Sequence, residues 1–292
     1  MTQILTGQTF KSKARDYYAL TKPEVNLLIL MTASAGYYLG CRGPLRIGGL
    51  INTLVGTLLV ASGTATLNQW MERVWDGKMR RTASRPLPSG RLSAREAFRF
   101  GVLLSVAGGV YLAATVNILS SLLAISTLLS YLLVYTPLKR RTPLCTMLGA
   151  IPGAMPTLIG WAGAAATIDR QAGFLFAVLF LWQFPHFLAI ALMYRDDYAR
   201  AGYRMLPGFD RDSLFTRVEI LGFTVILIAT TMWSVAATGR PWYLIAMAFV
   251  GTFLLYHVIK LTRSASTILA SRLLHASVLY LPVVLGLMIA YK

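Results

Sequence analysis

The sequence predicts an all-α, polytopic membrane protein with nine transmembrane helices. Three observations carry this reading. Of 292 residues, 56% are hydrophobic and 13% charged, with a mean hydropathy of +0.59, whereas a soluble domain carries about 25% charged residues. The apolar residues fall into runs near 20 residues, the length that spans a bilayer as a helix. The lysines and arginines are distributed very unequally between alternate connections.

The runs lie near 25–42, 47–70, 97–116, 118–136, 145–166, 173–194, 215–237, 241–259 and 269–290. The third and fourth are separated only by an uncharged turn at Val116 and Asn117. Lipid leaves helices and closed barrels as the spanning structures, and barrel strands alternate over about ten residues. These runs are longer and evenly apolar, so they read as helices. Residues 1–22 form a short N-terminal segment with no long apolar core, so neither a signal peptide nor an organelle presequence is expected there. Residues 1–292 read as a single integral-membrane domain.

With the N-terminus in the cytoplasm, 23 of the 28 basic residues fall on the cytoplasmic side and 5 on the other. That asymmetry orients the chain with its N-terminus in and its C-terminus out. The net charge of +17 is spread between apolar runs and not gathered on a separate domain, which argues against nucleic acid as a partner. Cys41 and Cys145 form no CxxC and fall on opposite sides, so no disulfide is expected.

The densest polar chemistry lies in NQWMERVWDGKMRRTASRPLP, Asn68 to Pro88. Asn68, Glu72 and Asp76 stand at i, i+4 and i+8, on one face of a helix. Gly77 offers a C-terminal cap, and Ser93 with Glu96 forms a capping-box pattern at the next helix. Two carboxylates one turn apart repel unless a cation sits between them. Mg2+ prefers oxygen ligands and binds through one or two carboxylates plus substrate phosphates. Lys78, Arg81 and Arg85 suit the remaining phosphate charge, because guanidinium matches phosphate oxygens in bidentate geometry. The alternative is a topogenic loop whose acids are simply paired to its arginines.

YRDDYARAGYRMLP, Tyr194 to Pro207, repeats the pattern with Asp196, Asp197 and Arg200. YTPLKRRTP adds Lys139 and Arg140 on the same side. One site can gather both loops, with Glu72, Asp76, Asp196 and Asp197 as candidate metal ligands. Lys22 in TKPEV and Arg141 read as topogenic charge. His186, in WQFPHF, is an ionisable residue deep in an apolar run and so a candidate by default, although such histidines often only pack the bundle. Pro185 beside it is expected to kink its helix.

Four stretches, NQWMERVWDGKMRRTASRPLP, VYTPLKRRTP followed by GAIPGAMPTLIGW, WQFPHF and RDDYARAGYRMLP, together resemble the UbiA superfamily of intramembrane prenyltransferases, and within it the branch that prenylates haem. The likeness covers nearly the whole chain. Two departures stand out: Gln69 and Glu72 occupy places where the superfamily usually has aspartates, and the second motif lacks its second acid, since Arg200 and Ala201 stand four residues after Asp196 and Asp197. The resemblance implies a helix bundle around a central cavity that opens laterally to lipid. It implies farnesyl diphosphate as donor, haem B as acceptor and Mg2+ as cofactor. Asn68, Glu72, Asp76 and Asp197 would be catalytic. Lys78, Arg81, Arg85, Lys139, Arg140 and Arg200 would bind diphosphate, and His186 would bind haem. The expected location is a bacterial inner membrane with a periplasmic C-terminus. Association with a haem A synthase stays open, as does a sister activity on an aromatic acid or quinone precursor. A carrier for an anionic metabolite would need cations near the membrane midplane, and here they sit at one end.

Overall fold

The structure, a computed structural model, describes residues 10–210, 212–236 and 240–292; residues 1–9 of the expected N-terminal segment lie outside it. The chain is helical throughout: α1 Phe10–Leu20, α2 Pro23–Gly40, α3 Ile47–Asp76, α4 Ala94–Thr115, α5 Ile118–Leu138, α6 Cys145–Ala165, α7 Arg170–Met193, α8 Arg195–Ala201, α9 Leu206–Phe209, α10 Leu214–Ala236, α11 Pro241–Arg263 and α12 Thr267–Ala290.

Among the described residues nine helices of 18 residues or more form the bundle, and eight of them are long and apolar enough to cross a membrane. The exception is α2, whose 18 residues begin Pro23, Glu24, Val25, Asn26. It nevertheless packs within the bundle, chiefly on α6. The helix α1 was not anticipated from sequence. It lies against the bundle through Asp16, buried and paired to Arg91 at 2.9 Å, and through Lys13 and Glu96 at 2.6 Å.

The centre of the bundle is α6 and α7, each with 61% of its most apolar window buried, against 28% for α5, α10 and α11. The outward faces carry large exposed apolar side chains such as Leu103, Trp233, Trp242 and Phe249, as lipid-facing surfaces do. The α2–α6 contact is unusually close. A Cβ on Gly36 would collide with the Thr157 carbonyl oxygen, and one on Gly160 with the Ala33 carbonyl oxygen. Only a bare backbone permits that approach.

Local signals behave as read at several ends. Ser93 and Glu96 form a full capping box on α4, and Asn117 caps α5 by accepting from the Ser120 amide at 2.8 Å. Gly77 ends α3, but in the right-handed region and not in the left-handed cap expected. Pro185 lies inside α7, which continues as one helix from Arg170 to Met193. Cys41 and Cys145 are both free.

Candidate functional site

The loops after α3, α5 and α7 meet at one end of the bundle, over a polar cavity of about 110 Å³. From α3 come Asn68, Glu72 and Asp76, at 1%, 6% and 1% exposure. The i, i+4, i+8 spacing thus turns all three inward on one helical face. Asp76, although at the end of its helix, is fully enclosed by the loop that follows it.

Buried carboxylates persist only when paired. Lys139 donates to Glu72 Oε1 at 2.9 Å, and Arg85 to Asp76 Oδ2 at 2.8 Å. Lys22 donates to Asn68 Oδ1 at 3.2 Å, while Asn68 Nδ2 donates to Thr136 Oγ1 at 3.1 Å. Lys22 therefore belongs to the cavity, contrary to its reading as topogenic charge. It holds a left-handed backbone, φ 51° and ψ 65°, at the N-cap of α2, a costly conformation for a side-chain-bearing residue. Burial, with Arg85 nearby, pushes its ammonium down to about 8. Burial would lower Lys139 as well, but Glu72 and the surrounding tyrosines outweigh it and hold Lys139 well above the ordinary lysine range.

Aromatic residues complete the wall: Tyr131, Tyr135, Tyr198 and Tyr203. The first two come from a π-helical turn, Ser130–Tyr135, inside α5. Pro137 has no amide to continue the α pattern, and Thr136 Oγ1 donates back to the Tyr131 carbonyl at 2.9 Å. The turn sets Tyr131 and Tyr135 edge to face, with centroids 4.9 Å apart. None of these four tyrosines stood out in the sequence as a site residue. The YxxxK spacing of Tyr135 and Lys139, with Lys139 4.5 Å above the Tyr135 ring, is the signal that was present.

The second acidic loop contributes less than expected. Asp197 pairs with Arg200 and accepts from the Arg81 amide at 3.4 Å. Both acids face a separate, more open pocket of about 540 Å³ with Arg80, Arg81 and Arg200. Arg81 lines both pockets and stacks 4.4 Å over Tyr194. Asp196 is exposed. The four carboxylates are therefore not gathered into one cluster: Glu72 and Asp76 line the polar cavity, and Asp196 and Asp197 the open pocket. Lys78 and Arg140 likewise do not line the cavity. Lys78 points outward from the turn after α3, and the Arg140 guanidinium lies 3.9 Å over the outer face of Trp75.

Among the described residues no group of three or more His, Cys, Asp or Glu side chains could hold a metal alone. Glu72 and Asp76 on one buried face still suit a hard cation that takes its remaining oxygens from water and substrate phosphate.

Below the polar cavity lies an apolar chamber of about 280 Å³ walled by α2, α3, α5, α6, α7 and α12. Lys22 and Tyr131 line both spaces and so stand at their junction. Pro152, Gly153 and Pro156 of α6 face the chamber. Gly153 leaves room for Gln183, whose amide donates to the Ala150 carbonyl at 2.8 Å. Val25 and Phe187 line the chamber yet are exposed, so it is reached from the side of the bundle.

His186 lines neither space. It stacks on Trp182 at 4.6 Å between centroids, and its Nδ1 is 2.9 Å from Ser277 Oγ. The Ser277 hydroxyl donates its single hydrogen to the Leu274 carbonyl at 2.7 Å. With the hydroxyl hydrogen so used, the neutral tautomer that fits this contact carries its hydrogen on Nδ1 and its lone pair on Nε2. Its chain neighbour Phe187 and its stacking partner Trp182 do line the chamber.

Comparison with known proteins agrees with this architecture. Residues 29–280 match the UbiA prenyltransferase family. A protoheme IX farnesyltransferase of Solibacter usitatus is 47% identical over 286 residues, covering 94% of this chain and 98% of its own. A solved digeranylgeranylglyceryl phosphate synthase superposes with a TM-score of 0.77 at 19% identity, covering 95% of this chain and 98% of that one. A UbiA homologue from Archaeoglobus fulgidus, bound to GPP and Mg2+, superposes at 0.67 with 14% identity, covering 94% and 99%. The family match spans most of the chain, a relative is 47% identical over nearly its whole length, and the helical bundle is shared with the solved structures: the chain belongs to the UbiA prenyltransferase family.

Proposed function

We propose that the chain transfers the farnesyl group of farnesyl diphosphate to a vinyl group of protoheme IX (haem B), giving haem O, with Mg2+ as cofactor. The observation that carries this reading is the junction itself: a buried cationic cavity continuous, through Lys22 and Tyr131, with an apolar chamber open to the side. The name of the Solibacter relative supplies the substrate class. The one-sided cations support a cytoplasmic site in a bacterial inner membrane, with the N-terminus on that side.

Diphosphate would lie among Lys22, Arg81, Arg85 and Lys139, with the prenyl tail in the chamber. Bound Mg2+ supplies Lewis-acid neutralisation of the leaving group, and Glu72 and Asp76 would hold it, with Asp197 beside the mouth. Asn68 positions Lys22. The allylic C1–O bond breaks and its electron pair leaves with diphosphate. The vinyl terminal carbon bonds to C1, and the adjacent carbon takes hydroxide from water, releasing a proton. The cations stabilise charge developing on the leaving oxygens. The faces of Tyr131 and Tyr135 offer electron density where positive charge develops on carbon. The apolar walls keep water from the allylic cation until the acceptor has reacted.

The test is direct assay of the purified protein with farnesyl diphosphate and either haem B or 4-hydroxybenzoate. A farnesylated, hydrated haem is the expected product. Prenylated benzoate with untouched haem would replace this reading with the quinone-precursor one.

A further inference from the structure

Four buried side-chain polar atoms lack a hydrogen-bond partner among the described residues: Thr146 Oγ1, Trp161 Nε1, Thr216 Oγ1 and the Tyr203 hydroxyl. Of these residues only Tyr203 lines the polar cavity. It is 7% exposed. Burying a hydroxyl without a partner is unfavourable, and native proteins rarely tolerate it without a reason.

The position of Tyr203 is set from both sides. Gly202 ends α8 in the left-handed region, φ 73°, and reverses the chain. The Tyr203 amide then donates to the Tyr198 carbonyl at 2.9 Å, and the Arg204 amide donates to the Lys139 carbonyl at 2.7 Å. Met205 sulfur meets Cys145 Sγ at 3.7 Å. The ring packs edge to face on Tyr198 at 6.0 Å and under the Lys139 ammonium at 5.9 Å. A loop fastened at so many points delivers this ring into the cavity by construction.

The charged donors in the cavity already have acceptors. Lys139 is engaged by Glu72, Arg85 by Asp76, Lys22 by Asn68 and Arg81 by the Tyr198 hydroxyl. An incoming anion must weaken those bonds to use these groups. Tyr203 makes no bond that must be broken first. A phenol keeps its hydrogen near neutral pH and so has one to donate. The nearby Glu72 carboxylate is ion-paired with Lys139 and makes no hydrogen bond of good geometry to the Tyr203 hydroxyl, although the two groups interact.

We propose that the Tyr203 hydroxyl donates a hydrogen bond to a phosphate oxygen of the prenyl diphosphate, a neutral substrate contact beside the cations. This rests on the reading of the cavity as the diphosphate seat. It assigns the unmet hydroxyl to the ligand and not to the scaffold. The two assignments predict opposite signs, because Tyr203→Phe removes an unpaired group from the free protein and a bond from the complex.

The experiment titrates full-length protein in detergent with inorganic pyrophosphate and Mg2+, by calorimetry and by thermal unfolding. Tyr203→Phe should weaken pyrophosphate about five- to tenfold, equivalent to about 1–1.4 kcal/mol. The unliganded protein should unfold at the same temperature as the parent or higher. Tyr203→Met, which also lacks the hydroxyl, should lose at least as much affinity. Undiminished pyrophosphate affinity in Tyr203→Phe overturns the proposal while leaving the diphosphate seat intact. A lowered unliganded midpoint with unchanged affinity, or failure of both variants to fold, also overturns it, because the side chain would then serve the scaffold. No pyrophosphate binding by the parent protein would remove the seat itself.

Discussion

Lys139 and Glu72 form a buried ion pair at 2.9 Å, joining the end of α5 to the centre of the acidic face of α3. Their side chains are 14% and 8% exposed, so each charge depends on the other for its solvation. Replacing Lys139 by Met strands the Glu72 carboxylate. The expected loss of unfolding free energy is about 3 kcal/mol, read by denaturant or thermal unfolding in detergent. Adding Glu72→Gln to Lys139→Met should restore most of that stability but none of the turnover. A Lys139→Met protein as stable as the parent would show that the pair is not a structural element.

Asp76→Asn tests the other end of the acidic face. The change keeps size while removing the charge that neutralises Arg85 and, in the proposed mechanism, holds Mg2+. A loss of several kcal/mol in transition-state stabilisation is more than about a thousandfold in kcat. EDTA should abolish turnover in the parent protein and added Mg2+ should restore it. Turnover in EDTA, or more than about a tenth of parental kcat in Asp76→Asn at about 1.4 kcal/mol per tenfold, would mean the metal lies elsewhere.

His186, near the middle of the second half of α7, is not among the residues that line the polar cavity. Its place beside Trp182 and Phe187, which line the apolar chamber, fits a contact with the haem acceptor and not with diphosphate. His186→Ala should weaken haem B at least tenfold in a spectral titration, about 1.4 kcal/mol. Pyrophosphate affinity should not change. Equal haem affinity in the two proteins would leave His186 as a packing residue for α7 against α12.

Gly160→Ala addresses the wall of the chamber. The added methyl meets the Ala33 carbonyl oxygen of α2, and backbone cannot move aside as a flexible side chain can. Overpacking of this kind costs about 1–3 kcal/mol. A lower unfolding temperature is expected, together with reduced prenyl transfer, since α2 carries Asn26, Ile29 and Thr32 into the chamber. An unshifted midpoint would show that the two helices separate freely.

Much of this fold was legible in the sequence because lipid permits so few solutions. Each apolar run became a helix, most within three residues of the expected ends, with α3 running six residues past its expected end and α11 four. Asn68, Glu72 and Asp76 were legible because helical periodicity alone places them on one face. The remainder depended on contacts distant in sequence. Nothing local to Lys22 reveals that its side chain meets Asn68 forty-six residues later. The π-helical turn at Ser130–Tyr135 has no period of its own to read. Lys78 and Arg140 looked equivalent to Arg85 and Lys139, and only loop geometry separates outward from inward cations. Asp196 and Asp197 carry the same charge on adjacent residues, and the course of α8 decides which one nears Arg81.

The shared boundary at Lys22 and Tyr131 has a consequence for traffic. One space opens toward the loops and the other toward the flank of the bundle, so the two products depart into different phases. Inorganic diphosphate enters water, whereas the prenylated tetrapyrrole enters the bilayer. Neither must wait for the other. The acceptor is then supplied in moles per mole of lipid and not in moles per litre. Diluting it with inert lipid at constant bulk concentration should slow turnover, while inhibition by diphosphate stays a function of aqueous concentration alone.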